Sequence, residues 1–80
     1  MRLDKYLKVA RIIKRRTVAN EACDGGRVSV NGKTARASYE VKIGDIIEVN
    51  FGGHNAKIEV TSLTETVKKE ESANLYKILP

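Results

Sequence analysis

A single cysteine, Cys23, in a chain of 80 residues excludes an internal disulfide and any multi-thiolate metal site. That usage fits a reducing compartment. There is one histidine, His54, so base catalysis and metal ligation have one imidazole between them. Tryptophan is absent, and Phe and Tyr together make 5% of the chain, too few for a single-strand binder built on stacked bases. No apolar run approaches the ~20 residues that a membrane-spanning helix needs. The opening Met1-Arg2-Leu3-Asp4-Lys5 puts an acid and two bases where a signal peptide would turn apolar. The expectation is a cytoplasmic protein that does not enter membranes. Proline occurs only as the last residue, Pro80, and nothing repeats or is low in complexity.

Acidic charge is scarce in one half. Residues 1–36 hold ten Lys and Arg against three acids, whereas residues 37–80 hold five bases against seven acids, within a net charge of +5. Positive charge concentrated in this way points to a surface that faces a polyanion, with an opposite face that does not. A chain of this size is one small domain with a modest core and little room for an enclosed substrate cavity.

The periodicity falls into two regimes. Leu3, Tyr6, Leu7, Ala10 and Ile13 share one stripe at helical spacing, with Asp4, Lys8 and Arg11 on the opposite side, which predicts an amphipathic helix from Arg2 to about Ile13. Lys14-Arg15-Arg16 interrupts it. Thr17 then reads as the N-cap of a second helix over about 18–24, with Val18, Ala19, Ala22 and Cys23 on its apolar face and Gly25 or Gly26 as its left-handed stop. Beyond the glycines the period changes to two. Val28 and Val30 alternate toward the core, and Asn31-Gly32 is a strong hairpin signal because both turn positions need positive φ. A turn at Lys42-Ile43-Gly44-Asp45 leads into a strand over Ile46-Val49. Gly52-Gly53-His54-Asn55 reads as a hairpin loop, and Lys57-Thr61 as the returning strand. The tail reads either as a short helix, with Ala73, Leu75 and Tyr76 packing back on the sheet, or as an ordered arm. The fold class is α+β, two short N-terminal helices packed on a small antiparallel sheet, with a domain over residues 1–62 and a tail over 63–80.

An enzyme would have to use Cys23 and His54, thirty-one residues apart, with no strained nucleophile turn and no orienting third residue. Cys23 on an apolar helix face reads instead as a small core residue. Gly25-Gly26-Arg27 and Gly52-Gly53 lack the Lys-Ser/Thr helix start of a phosphate-cradling loop. No catalytic residue, metal or cofactor is expected. Tyr6 lies on the apolar stripe, so its ring reads as core rather than as a stacking platform. Cations on two short helices with few aromatics favour a folded RNA recognised by shape and backbone. A double-stranded DNA reader needs a recognition helix longer than the second one here. A basic module that meets an acidic protein partner remains as the plain alternative.

The motifs Arg2-Leu3-Asp4-Lys5-Tyr6-Leu7, Arg11, Arg15-Arg16-Thr17-Val18-Ala19, Asp24 to Lys33 and Val41 to Val49 together resemble the core of the S-four-type RNA-binding domain, named after a small-subunit ribosomal protein. The resemblance covers residues 1–49. It implies two helices on a small antiparallel sheet, binding structured RNA with the helical face and adjoining turn. Carried over, Arg2, Lys5, Arg11, Arg15, Arg16 and Arg27 are the expected RNA contacts. Lys8, Lys14 and Lys33 complete that basic set. Asp4, Thr17, Gly25, Gly26, Asn31, Gly32 and Gly44 are structural expectations, Asp4 as a carboxylate that holds a neighbouring arginine.

The domain usually occurs attached to larger enzymes, and a free-standing one with this tail resembles the bacterial ribosome-associated quality-control subgroup, related to a ribosome-binding heat-shock protein of fifteen kilodaltons. That resemblance implies binding to ribosomal RNA and peptidyl-tRNA on the large ribosomal subunit. It also implies a partner protein that extends the stalled chain with alanines, and a monomer with no cofactor. A structural or recycling ribosome binder of the heat-shock type is the alternative within the same fold.

Overall fold

A computed structural model describes residues 1–51, 53–64 and 75–80. Two helices, α1 (Leu3–Val9) and α2 (Arg16–Asp24), precede five strands: β1 (Val28–Val30), β2 (Lys33–Thr34), β3 (Ile46–Phe51), β4 (His54–Val60) and β5 (Tyr76–Ile78). The strands form one antiparallel sheet in the order β2-β1-β3-β4-β5. The expected α+β class, two short helices on a small antiparallel sheet, is the fold observed.

A helix of seven residues is marginal in water by itself, so α1 depends on what it buries. Leu3, Tyr6, Leu7 and Ala10 are buried against Ala19, Ala22 and Cys23 of α2 and against Val28, Val30, Ile47, Val49, Ile58 and Val60 of the sheet. Each fully buried Leu or Val side chain is worth about 1.5–3 kcal/mol, more than any single surface ion pair offers. Alternation does the same for the strands: the inward Val28 and Val30 are buried, while Ser29 between them is half-buried.

Helix α1 ends earlier than its periodicity suggests. Ala10 is the C-cap, and Arg11 takes the left-handed conformation at φ 60°. Its N–H donates to the Lys8 carbonyl (3.0 Å) and that of Ile12 to Leu7 (3.0 Å), the paired closure of a Schellman turn. The turn swings Ile13 back into the core, where it is 5% exposed. Ile13 therefore matches the helical stripe without being helical. The same closure ends α2, where Gly26 at φ 81° supplies the left-handed residue and Arg27 donates to Ala22 at 2.9 Å.

Three local expectations are corrected, two at α2 and one at α1. Thr17 is not the N-cap: Arg15 occupies that position in extended conformation, its carbonyl accepts the first helical bond from Ala19 (3.0 Å), and no side chain caps the end. The helix start is instead set by tertiary contacts of Arg16 and Asn20, described below. Val18 is 42% exposed rather than on the apolar face, because the inward stripe runs through Ala19, Ala22 and Cys23. Asp4, expected on the wet face of α1, is 2% exposed.

The Asn31-Gly32 hairpin is as expected. Asn31 (φ 53°) and Gly32 (φ 85°) join the paired residues Val30 and Lys33. Asn31 also clamps β1 to β3, since its side-chain oxygen accepts from Ile46 N–H (2.9 Å) and its amide donates to Asp45 (3.1 Å). Asp45, 7% exposed, further accepts from Lys42 N–H (2.9 Å) and closes the turn in which Gly44 sits at φ 95°. His54, expected in the loop between β3 and β4, instead belongs to β4 and pairs with Phe51. In the tail, most of the anticipated helix lies outside the described residues. Leu75 is buried, and Tyr76–Ile78 pairs with β4 as a fifth strand. The buried Tyr6 hydroxyl donates to the Leu75 carbonyl at 2.7 Å and fastens this strand to α1.

Candidate nucleic-acid interface

The helical face is organised by one carboxylate. Arg2, the N-cap of α1, donates from Nε to Asp4 Oδ1 (3.2 Å) and from Nη2 to Oδ2 (3.4 Å). From α2, Arg16 Nε reaches the same Oδ2 at 3.4 Å, and Asn20 Nδ2 reaches it at 3.3 Å. Lys5 N–H donates to Oδ1 at 2.8 Å. The Asp4 side chain is 3% exposed, whereas those of Arg2 and Arg16 are 49% and 46% exposed. Two guanidinium groups from different helices thus share one buried anion and keep their other donors in water.

That geometry has an electrostatic consequence. Burial by itself would raise the Asp4 carboxyl, but hydrogen bonds from Asn20, Lys5 N–H and Arg16 outweigh it and hold it below its ordinary value. Asp4 stays ionised at neutral pH, so the cluster of two arginines and one aspartate keeps a charge of about +1. Each arginine presents a planar donor fork that suits two-pronged contact with phosphate oxygens.

The other expected RNA contacts surround this pair unevenly. Lys8 is exposed on the last turn of α1, Arg11 projects from the left-handed turn after it, and Lys14 and Arg15 are exposed on the link between the helices. Lys5 is half-buried. Among the described residues, Lys8, Arg11, Lys14 and Arg15 make no side-chain hydrogen bond or ion pair, so their cations are uncompensated. Arg27 lies elsewhere, beside a polar hollow of about 330 Å³ on the open face of the sheet, with Ser29, Thr34, Glu48, Asn50 and Asn55. Lys33 opens β2, next to a second hollow shared with Arg36 and Tyr39.

Three participants escaped the sequence reading. Asn20 lies four residues beyond Arg16, a polar residue beside an apolar stripe, and that spacing was its only signal. Asp24 accepts from Ala37 N–H (3.0 Å) and ties the end of α2 to the loop that follows β2. Glu40 pairs with the N-terminal ammonium of Met1.

Cys23 is 1% exposed, and burial, together with the negative charges of Asp4 and Asp24, pushes its thiol up to about 11. It is a core residue with the ionisation of an unreactive thiol. Among the described residues, no group of three His, Cys, Asp or Glu side chains is placed to hold a metal ion, and no helix is long and apolar enough to cross a membrane.

Comparison with known proteins agrees with this architecture. Residues 1–47 match the S4 domain. The chain is 56% identical over 79 residues to the "RQC P-site tRNA stabilizing factor" of Bacillus subtilis, covering 99% of this chain and 92% of that protein. A protein of the same name from Streptococcus pneumoniae is 49% identical over 79 residues, covering 99% of this chain and 90% of its own length. Among solved structures, heat shock protein 15 of Vibrio cholerae, described as trimeric, superposes with a TM-score of 0.91 at 32% identity, covering 99% of this chain and 81% of that one. With its residues aligned along nearly their whole length, the chain belongs to the S4 domain family and, within it, to the group of RQC P-site tRNA stabilizing factors.

Proposed function

We propose that this chain binds the RNA of the large ribosomal subunit together with a peptidyl-tRNA held in its P site. In that place it would steady the tRNA during ribosome-associated quality control of stalled nascent chains. The observation that carries this reading is the sharing of Asp4 by Arg2 and Arg16, which sets two arginine forks side by side on a face already rich in unpaired cations. The names of its relatives in Bacillus subtilis and Streptococcus pneumoniae supply the tRNA and the quality-control setting.

The chain performs no chemistry of its own in this role. It works as a cytoplasmic monomer that neutralises phosphates and releases their counterions. A partner protein adds the alanine tail while the tRNA is held. Arg2, Lys5, Lys8, Arg11, Lys14, Arg15 and Arg16 form the main contact surface, with Arg27 and Lys33 at its margin.

The test is co-sedimentation with purified large subunits carrying peptidyl-tRNA. Arg2→Ala and Arg16→Ala should each weaken binding by about 1–3 kcal/mol, the scale of a charge-assisted hydrogen bond. Lys57→Ala and Lys77→Ala, in the acidic half, should cost a few tenths through the long-range field alone. Equal losses in all four would reduce the interface to net charge. A recycling role of the heat-shock type is favoured by the superposition on heat shock protein 15. It predicts equal binding to subunits with and without peptidyl-tRNA.

A further inference from the structure

The chain between β2 and β3 bears a feature that the helical face does not use. Lys33, Arg36, Ser38 and Tyr39 line a groove of about 680 Å³ whose floor includes Val30 and Ala35. That volume lies within the range of sites that hold a molecule the size of a nucleotide. None of the lining side chains is acidic. The side-chain cations of Lys33 and Arg36 are exposed and, among the described residues, make no hydrogen bond or ion pair. Tyr39 is half-buried, and its orientation is fixed because the hydroxyl donates to Asp45 Oδ2 at 3.0 Å. Asp45 does not line the groove, is 7% exposed and already accepts from Asn31, Tyr39 and Lys42 N–H.

The groove also adjoins the arginine pair. Leu3 N–H donates to the Tyr39 carbonyl (2.8 Å) and Asp4 N–H to that of Ala37 (3.2 Å), so the strip over residues 37–39 runs directly beside the start of α1. Arg2 forms an isolated antiparallel bridge with Glu40, whose carboxylate is neutralised by the N-terminal ammonium. The groove edge formed by Ser38 and Tyr39 therefore lies beside the start of α1, next to Arg2.

We infer that this groove receives an unpaired RNA nucleotide, its base laid along the Tyr39 ring over Val30 and Ala35 and its phosphates met by Lys33 and Arg36. An immobilised aromatic ring with an apolar floor and flanking cations is the arrangement that takes splayed-out bases without reading their sequence. An acidic peptide would find the cations but have no use for the ring and floor. The inference rests on the helical face being the RNA side, which the groove extends.

The test is an NMR titration of the isotope-labelled full chain with single-stranded hexauridylate. Amide shifts are expected to cluster over residues 33–39 and, in Arg36→Glu, to need about tenfold more hexauridylate to reach the same size. Tyr39→Leu should lose a similar factor. Tyr39→Phe, which gives up only the Asp45 bond, should keep binding if it remains folded. Unchanged binding in Arg36→Glu, which alters an exposed side chain and leaves the core alone, overturns the inference. So do equal shifts with hexaglutamate, which would make the groove a protein dock. The large-subunit assay on Arg2→Ala and Arg16→Ala separates the two ideas. Loss there with no hexauridylate response over 33–39 sinks the groove alone, and no loss there sinks the helical-face reading.

Discussion

Replacing Asp4 with Asn tests the arginine pair by the sign of its effect. The change removes the one acid of the cluster, so the net charge rises from +5 to +6. If binding to RNA were diffuse attraction, one added charge some 8 Å from a phosphate would contribute about 0.5 kcal/mol before salt screening, so the variant would bind up to about twofold tighter. The structure argues for the opposite. Asp4 accepts from Arg2, Arg16, Asn20 and Lys5 N–H, and an amide can satisfy the last but repels donors at its NH₂ end. Freed of their anchor, the two arginines regain rotamer freedom that binding must again remove, at about 0.5–1.5 kcal/mol each. The expected outcome is weaker binding by about 1–3 kcal/mol, measured by anisotropy or co-sedimentation at fixed salt on variant that circular dichroism shows to be folded.

Stability supplies a second readout of the same variant. The Asp4 carboxyl is held below its ordinary value of 3.8 in the folded state. Its contribution is therefore present above that value and is lost as the pH falls through the lower folded one. Wild type should lose stability on acidification in this range, and Asp4→Asn should start lower and show a flatter acid limb. Tighter RNA binding by a folded Asp4→Asn would refute the preorganised pair.

Other expectations follow from single positions. Affinity for large subunits should fall with salt at a log–log slope of roughly −3 to −5, for about four to six neutralised phosphates, and a flat response would point to a protein interface. Arg11→Gly removes a non-glycine residue from φ 60°, so it should raise the melting temperature, by relief of about 1 kcal/mol, while weakening subunit binding; a fall in both would mean the turn is not strained. Gly32→Val puts a β-branched residue at φ 85° in the hairpin turn and should cost ~1 kcal/mol or more, about 4–8 °C in melting temperature for a domain of this size. Cys23 should resist a thiol reagent at pH 8 in the native state, since it is 1% exposed and its thiol is pushed up to about 11, and Cys23→Ala should lower stability modestly with RNA binding intact. Rapid native labelling would contradict its placement.

The features legible in the chain are those decided by neighbours a few residues apart. The stripe of Leu3, Tyr6, Leu7 and Ala10, the alternation of Val28 and Val30, and the positive-φ pair Asn31-Gly32 each follow from local backbone geometry and side-chain period, and each stands where its pattern predicts. The uneven charge and the lone cysteine likewise limit the chemistry open to the chain. Ile13 and Thr17 show where such reasoning stops. Ile13 fits the helical period yet is buried by a left-handed turn at Arg11, and Thr17 has a capping side chain that the helix does not use. Both outcomes follow from docking α1 on α2, which rewards the core contact of Ile13 and the bonds of Arg16 and Asn20 to Asp4 above local preference. Burial of Asp4 is of the same kind: hydrogen bonds from residues 2, 5, 16 and 20 offset its desolvation, and no local pattern adds partners from two helices. The fifth strand and the groove at Arg36 and Tyr39 likewise need chain segments brought together from far apart. Most of the elements, the Asn31-Gly32 turn and the sign of the surface could be read along the chain. Only the tertiary structure decided which cations share an anion and therefore point together, because that depends on where two helices cross rather than on what either contains.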